Sequence, residues 1–307
     1  MKSILVTGGA GFIGSNLIKY LLSNHLEIEK IIVLDNFFTG NEKNKIKSNR
    51  VKYIEDSTWN IEKHFSDEEG LFDTVFHFGE YSRIVKSFDD VNYVMKTNLH
   101  GTTRVLEMCR KWKAKLIYSA SSSKFGNDGK DENLSPYSWA KSKIVELIKN
   151  YNNWYNIQYE ICYFFNVYGP GQITSGDYAT VVGIFERQYN AGDLMTVVSP
   201  GTQTRDFTHV NDIVRGVAKT VSMNMNKEWH LRSGKNVSII DVANMYEKGK
   251  WHLIPERRGE RFTSEEFPSD TNKVLQWEPE MNLRLWIASR KYLEKVRISS
   301  PGIDIKE

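Results

Sequence analysis

The chain of 307 residues has two cysteines, Cys109 and Cys162, and seven prolines. Two thiols cannot build a disulfide scaffold or a zinc ribbon, and no metal is expected. Both lie in apolar stretches, which reads as reduced thiols in a core. No stretch approaches the roughly 18 consecutive apolar residues that a membrane span needs. Met1–Val6 runs into a glycine cluster before a signal-peptide core could form. These absences lead us to expect a cytoplasmic protein with no membrane partner. Charge of one sign is also scarce. Lys and Arg total 41 against 38 Asp and Glu, a net +3, which argues against a nucleic-acid partner. With 40% apolar and 26% charged residues, the composition is that of an ordinary globular protein with ample core.

Strand and helix patterns alternate along the first half. Residues 3–6 form an apolar run stopped by Thr7-Gly8-Gly9, then Phe12, Ile13, Leu17, Ile18, Leu21 and Leu22 recur at helical spacing. Runs at 31–34, 74–78, 116–119 and 159–165 read as buried strands, and Val51–Ile54 as a short strand. Helices are expected from about Val91 to Trp112 and from about Pro136 to Tyr155. Such alternation predicts an α/β fold, a doubly wound parallel sheet of Rossmann type. After Asn166 the rhythm loosens and glycine and proline come more often, which predicts a smaller C-terminal substrate-binding lobe. The expected division is 1–165 and 166–307. The lysine-rich run from Lys43 to Lys52 reads as a solvated loop.

Gly8, Gly11 and Gly14 sit between the first strand and the first helix. A dinucleotide pyrophosphate lies against backbone N–H groups at such a helix start, and side chains there would push it away. Asp35 closes the second strand about 20 residues later, where a carboxylate accepts from the adenosine ribose hydroxyls. Its charge would repel a 2′-phosphate, so NAD is expected as cofactor rather than NADP. The plain alternative for Asp35 is a turn-forming acid before Asn36.

Ser119-Ala120-Ser121-Ser122-Ser123 follows the fifth strand, and Tyr137 and Lys141 lie four apart on the next helix. Oxidation of a sugar alcohol needs a base for the hydroxyl proton. A tyrosine can serve if a neighbouring ammonium favours its phenolate. Ser121 would hold the substrate oxygen and relay the proton. The same spacing recurs at Tyr246 and Lys250, with no serine loop before it, and is assigned to chance.

Taken together, Thr7–Gly14, His77-Phe78-Gly79, Asn98-Leu99-His100-Gly101-Thr102 and Pro136–Lys143 resemble the extended short-chain dehydrogenase/reductase family. The resemblance is to its nucleotide-sugar epimerases and dehydratases. It implies that Gly8, Gly11, Phe12, Ile13, Gly14, Asp35, Asn36, Asp56, Ser57, Phe78, Gly79, Asn98, Tyr137 and Lys141 contact NAD. Asn166 in Phe165–Pro170, Arg205 in Arg205-Asp206-Phe207 and Arg257 in Arg257-Arg258-Gly259-Glu260 correspond to places where the family grips a nucleotide-sugar substrate. The family's 4,6-dehydratases carry an Asp-Glu pair where Ser122 and Ser123 stand here. A serine hydroxyl cannot replace a carboxylic acid as proton donor.

The implied reaction is oxidation at sugar C4, with 4-epimerisation or 4-dehydrogenation as net outcome. A 4,6-dehydratase, with Glu80 as substitute acid, and a non-catalytic nucleotide-binding protein are the alternatives. Gly79-Glu80-Tyr81-Ser82-Arg83 departs from the family's small residues. Glu80, Tyr81 and Arg83, with Ser122 and Ser123, are expected to shape the sugar pocket; the plain alternative pairs Glu80 with Arg83 or with solvent. The family also implies a homodimer through the two long helices. The Glu80–Arg83 and Ser121–Gly126 segments and the Lys-, Asn- and Ile-rich usage resemble enzymes of Campylobacter-type surface-polysaccharide loci, some acting on GDP-heptoses.

Overall fold

The structure, a computed structural model, describes residues 1–125, 130–259 and 269–299. The first half supplies six strands: β1 (Ser3–Thr7), β2 (Lys30–Asp35), β3 (Val51–Glu55), β4 (Thr74–His77), β5 (Lys115–Ser121) and β6 (Tyr159–Phe164). Four short strands follow, β7 (Val167–Tyr168), β8 (Met195–Val198), β9 (Thr204–Asp206) and β10 (Thr208–His209), before the chain returns as β11 (Glu228–Leu231). The seven-stranded sheet runs β11-β6-β5-β4-β1-β2-β3, and every neighbouring pair is parallel. The chain winds one way from β1 through β3, then the other way from β4. The crevice at the carboxyl ends of β1 and β4 is therefore the ligand position for this topology.

Strand alternation splits the core between the two sheet faces. Leu5, Ile32, Val75 and Leu116 pack on one side against Val105 and Leu106 of one helix and Ile144 and Ile148 of another. Ile4, Val6, Val33 and Ile117 pack on the other side with Leu17, Ile18 and Leu21, and with Ile213 and Val217. Those helices are α1 (Phe12–Asn24), then α2 (Val91–Val94) leading through a π-helical stretch, Met95–His100, into α3 (Gly101–Trp112). After them come α4 (Pro136–Tyr155), α5 (Val181–Ala191) and α6 (Val210–Thr220). The single helix expected over 91–112 is thus one helical run with a widened middle. A Cβ at Gly101 would stand 2.3 Å from Thr58 Oγ1, so the run crosses the 57–58 loop at close quarters.

The expected boundary at 165/166 is not a clean break. β11 pairs with β6, and α6 packs in the same core cluster as α1. What stands apart is a third core of Val182, Phe185, Val197, Val242, Ala243 and Ile287. It is served by the two-stranded pairs β12 (Asn236–Ser238) with β9 and β13 (Trp251–Ile254) with β8. Among the described residues, no helix is long and apolar enough to cross a membrane.

Candidate active site

The glycine turn is built by close backbone approach. Gly8 has a φ of +72°, and a Cβ there would fall 2.7 Å from the backbone of Phe78 and Gly79. A Cβ on Gly14 would fall 2.3 Å from the Gly8 carbonyl oxygen. Gly11 is the N-cap of α1 and offers no side chain to the first-turn N–H groups. Those donors are left for an anion, and the helix dipole favours one. Gly8, Gly11, Phe12, Ile13 and Gly14 all line one large cavity. The turn therefore fits a dinucleotide pyrophosphate.

Asp35 is buried and lines the same cavity. Oδ2 accepts from Ala10 N at 2.8 Å and Oδ1 from Phe37 N at 2.8 Å. Burial pushes its carboxyl above the ordinary range despite those bonds. The turn-forming role is real, and it holds the carboxylate at the cavity wall where the ribose role would need it. Asn36 donates to Ser57 Oγ at 3.0 Å and to Tyr93 OH at 3.2 Å. Burial tends to raise the Asp56 carboxyl, but bonds from Asn60, His64 and Ser57 N hold it below the usual range. Asn36, Asp56, Ser57, Phe78 and Gly79 line the cavity too.

Asn98 does not. Its side chain is fully buried, accepts from Tyr81 N at 2.8 Å and donates to Tyr81 O at 3.1 Å. It fixes the backbone of the cavity wall through Tyr81.

Ser135 caps α4, its hydroxyl accepting from Ser138 N at 3.1 Å, and Pro136 occupies the first turn. That start sets Tyr137 and Lys141 one turn apart, and both line the cavity that the glycine turn lines. Ser121 ends β5 beside them, its Oγ accepting from Ser123 N at 3.2 Å. Lys141 Nζ donates to Ser119 O at 2.6 Å and to Glu80 Oε2. Ser122 and Ser123 are buried and line the cavity.

The Glu80–Arg83 segment departs from the plain alternative, because Glu80 and Arg83 do not pair with each other. Glu80 is buried against Lys141, while Arg83 donates to Asp177 O at 2.8 Å and to Ala179 O, tying the 177–180 segment to the β4 side of the crevice. Burial, reinforced by nearby Arg257, pushes the Arg83 guanidinium below its ordinary value. Tyr81 is buried and donates to Asp90 Oδ2 at 2.9 Å. Asn166 donates to Asp206 O at 2.9 Å, and Arg205 donates to Thr204 O at 2.8 Å. Glu80, Tyr81, Arg83, Asn166, Arg205 and Arg257 all line the cavity. Glu260 lies outside the described residues.

Sequence reasoning missed an aromatic group at the mouth. Phe38 packs on Tyr93 with ring centroids 4.6 Å apart and on Tyr178 at 5.4 Å, and Tyr178 meets Tyr81 at 5.8 Å. The one available signal was an exposed Phe just after the acid of β2. The second Tyr-x-x-x-Lys copy has no site. Tyr246 is buried, donating to Val182 O at 3.2 Å, and Lys250 lies beyond the end of helix α7 (Ile239–Tyr246). Among the described residues, no cluster of three or more His, Cys, Asp or Glu side chains could hold a metal ion.

A parallel sheet with an anion-ready glycine turn at its switch point, sharing a cavity with a Tyr–Lys pair, fits a dinucleotide-dependent enzyme. The profile of the NAD dependent epimerase/dehydratase family matches residues 4–231, and the chain belongs to that family. Its cofactor is NAD. The chain is 33% identical over 301 residues to a Methanocaldococcus jannaschii protein named "Putative UDP-glucose 4-epimerase", covering 92% of this chain and 94% of that protein. It is 28% identical over 303 residues to UDP-glucuronic acid decarboxylase 6 of Arabidopsis thaliana, covering 92% and 85%. The solved UDP-glucose 4-epimerase of Thermotoga maritima with UDP-glucose superimposes with a TM-score of 0.83. It is 26% identical, with 96% and 99% of the chains covered.

Proposed function

We propose that this enzyme oxidises a nucleotide-activated sugar at C4 to a 4-keto sugar, the net outcome being 4-epimerisation or 4-dehydrogenation. The observation that supports the reading is that Tyr137, Lys141 and Ser121 line the same cavity as the glycine turn. NAD held along that turn supplies the acceptor for the hydride from C4. Tyr137 takes the C4 hydroxyl proton, Lys141 favours the phenolate and Ser121 orients the oxygen. The arginines Arg205 and Arg257 suit the diphosphate, since a planar guanidinium binds phosphate oxygens in pairs.

Dehydration fits the site less well. Ser122 and Ser123 offer no carboxylic acid, and Glu80, the one substitute considered, is already committed to Lys141, Tyr118 and Thr102. The names of the relatives support sugar-nucleotide chemistry and differ in outcome: an epimerase and a decarboxylase. A homodimer through α3 and α4 is part of this proposal. Trp154 and Tyr155 on α4 are 59% and 51% exposed, and sedimentation of a monomer at working concentration would remove it. We place the reaction in surface-polysaccharide sugar synthesis on the sequence resemblance alone.

The test is incubation with UDP-, GDP-, dTDP- and CDP-sugars, with and without a keto-acid acceptor, followed by mass spectrometry and NMR. An isomer at unchanged mass supports epimerisation, and loss of two hydrogens supports dehydrogenation. Loss of water, or no turnover with any nucleotide sugar, refutes the proposal.

A further inference from the structure

Glu80 follows β4 by three residues, and its side chain is 1% exposed. A buried carboxylate is costly unless paired and hydrogen-bonded. Here it is met from three elements. Lys141 Nζ on α4 donates to Oε2, Tyr118 OH on β5 donates at 3.0 Å, and Thr102 Oγ1 on α3 donates to Oε1 at 2.6 Å.

The Thr102 proton fixes the direction of a longer chain. With its hydrogen given to Glu80, Thr102 Oγ1 can only accept from His77 Nε2, 2.8 Å away. His77 Nδ1 is then the acceptor, and Thr7 Oγ1 donates to it at 2.6 Å. Thr7 Oγ1 in turn accepts from Phe78 N at 3.1 Å and Gly79 N at 3.0 Å. The hydrogen bonds thus run one way, from the backbone beside the glycine turn, through Thr7, His77 and Thr102, to Glu80. His77 stays neutral because burial lowers it to about 4. Tyr118 stays protonated because burial, with Glu80 beside it, raises it well above its ordinary value.

Lys141 has three N–H donors. One goes to Glu80 and one to Ser119 O, which leaves one for the cavity. The amine is held from two sides, and its charge is accompanied by an opposite one. We propose that Glu80 is a positioning residue that holds the Lys141 ammonium against β5 and tempers the positive charge it presents to Tyr137. The proposal rests on the proton-transfer role proposed above for Tyr137.

The titratable groups facing the Glu80–Lys141 pair are His77 on β4, Tyr118 on β5 and Tyr137 on α4. The first two hold a constant charge near neutral pH. Glu80→Gln keeps the shape and removes the charge. Without the carboxylate, the full ammonium acts on the phenolate, so phenolate forms more readily.

The experiment is an ultraviolet difference titration of tyrosinate, the Tyr137→Phe variant being subtracted in each background; it needs no turnover. In Glu80→Gln the Tyr137 signal is expected about one pH unit lower than in wild type. The acid limb of the kcat/KM profile is expected to move with it, while kcat falls because Lys141 loses its anchor. Coincident titrations in the two backgrounds overturn the proposal. Should Glu80→Gln fail to fold, Glu80→Asp carries the test. There the charge is kept, so the titration stays in place while kcat drops, and a downward shift overturns the idea. If Tyr137→Phe retains full turnover, the function reading fails. If Tyr137→Phe is inactive and the Glu80→Gln titration is unmoved, only the role of Glu80 fails.

Discussion

Replacing Lys141 by methionine keeps most of the side-chain volume and deletes one charge. Glu80 then stays buried with the hydroxyls of Tyr118 and Thr102 as its remaining partners. Breaking a buried pair from one side costs about 3–5 kcal/mol, because the other charge is left uncompensated. Loss of the bond to Ser119 O adds about 1 kcal/mol. The two hydroxyl donors offset part of this, so we expect destabilisation of about 3 kcal/mol. Lys141→Met/Glu80→Gln removes both charges and should recover about 2 kcal/mol of it, a coupling that a double-mutant cycle in urea near neutral pH measures. The double variant should fold well and remain inactive, which separates stability from chemistry. If Lys141→Met unfolds at the wild-type midpoint, or if the cycle is additive, Glu80 and Lys141 do not interact as described.

Asp35→Asn places an amide N–H₂ against one of two backbone N–H groups, Ala10 N or Phe37 N. We expect a loss of about 1–3 kcal/mol in thermal or urea unfolding, together with weaker NAD binding by calorimetry; wild-type values for both would refute the assignment. Burial lowers His77, His209 and His230 each to about 4. Their unfolded value is about 6.5, so the unfolded chain takes up more protons as pH falls through that window, and stability is lost on acidification. Lowering the pH from about 7.5 to about 5.5 should cost about 1.3 kcal/mol for each, or about 4 kcal/mol together. Urea midpoints that do not fall over this range would show that these rings are not buried neutral.

The features legible in the sequence are those set by the backbone. Continuous apolar runs marked β1, β2, β4, β5 and β6, and glycine spacing marked the turn, since both follow from local geometry. Tyr137 and Lys141 were visible because four residues on a helix share a face. The same rule produced Tyr246 and Lys250, which lack a serine loop before them and lie one buried and one past a helix end. Asn98 and Glu80 were not readable. Their partners, Tyr81 at 17 residues and Lys141 at 61, are set by how helices cross the sheet. The lobe boundary blurred for a similar reason: β11 is short and its place is decided by pairing with β6, which no local pattern reports.

Tyr137 is proposed to take the proton as the sugar is oxidised. The direct measurement is a single turnover of NAD-loaded enzyme mixed with the nucleotide sugar found active in the panel, following reduced cofactor by its fluorescence. Wild type should show a rise matched by 4-keto sugar in the quenched mixture. Tyr137→Phe should bind the same sugar and slow that rise by about 10²–10⁴-fold. A Tyr137→Phe enzyme that reduces its cofactor at the wild-type rate would show that Tyr137 is not the base.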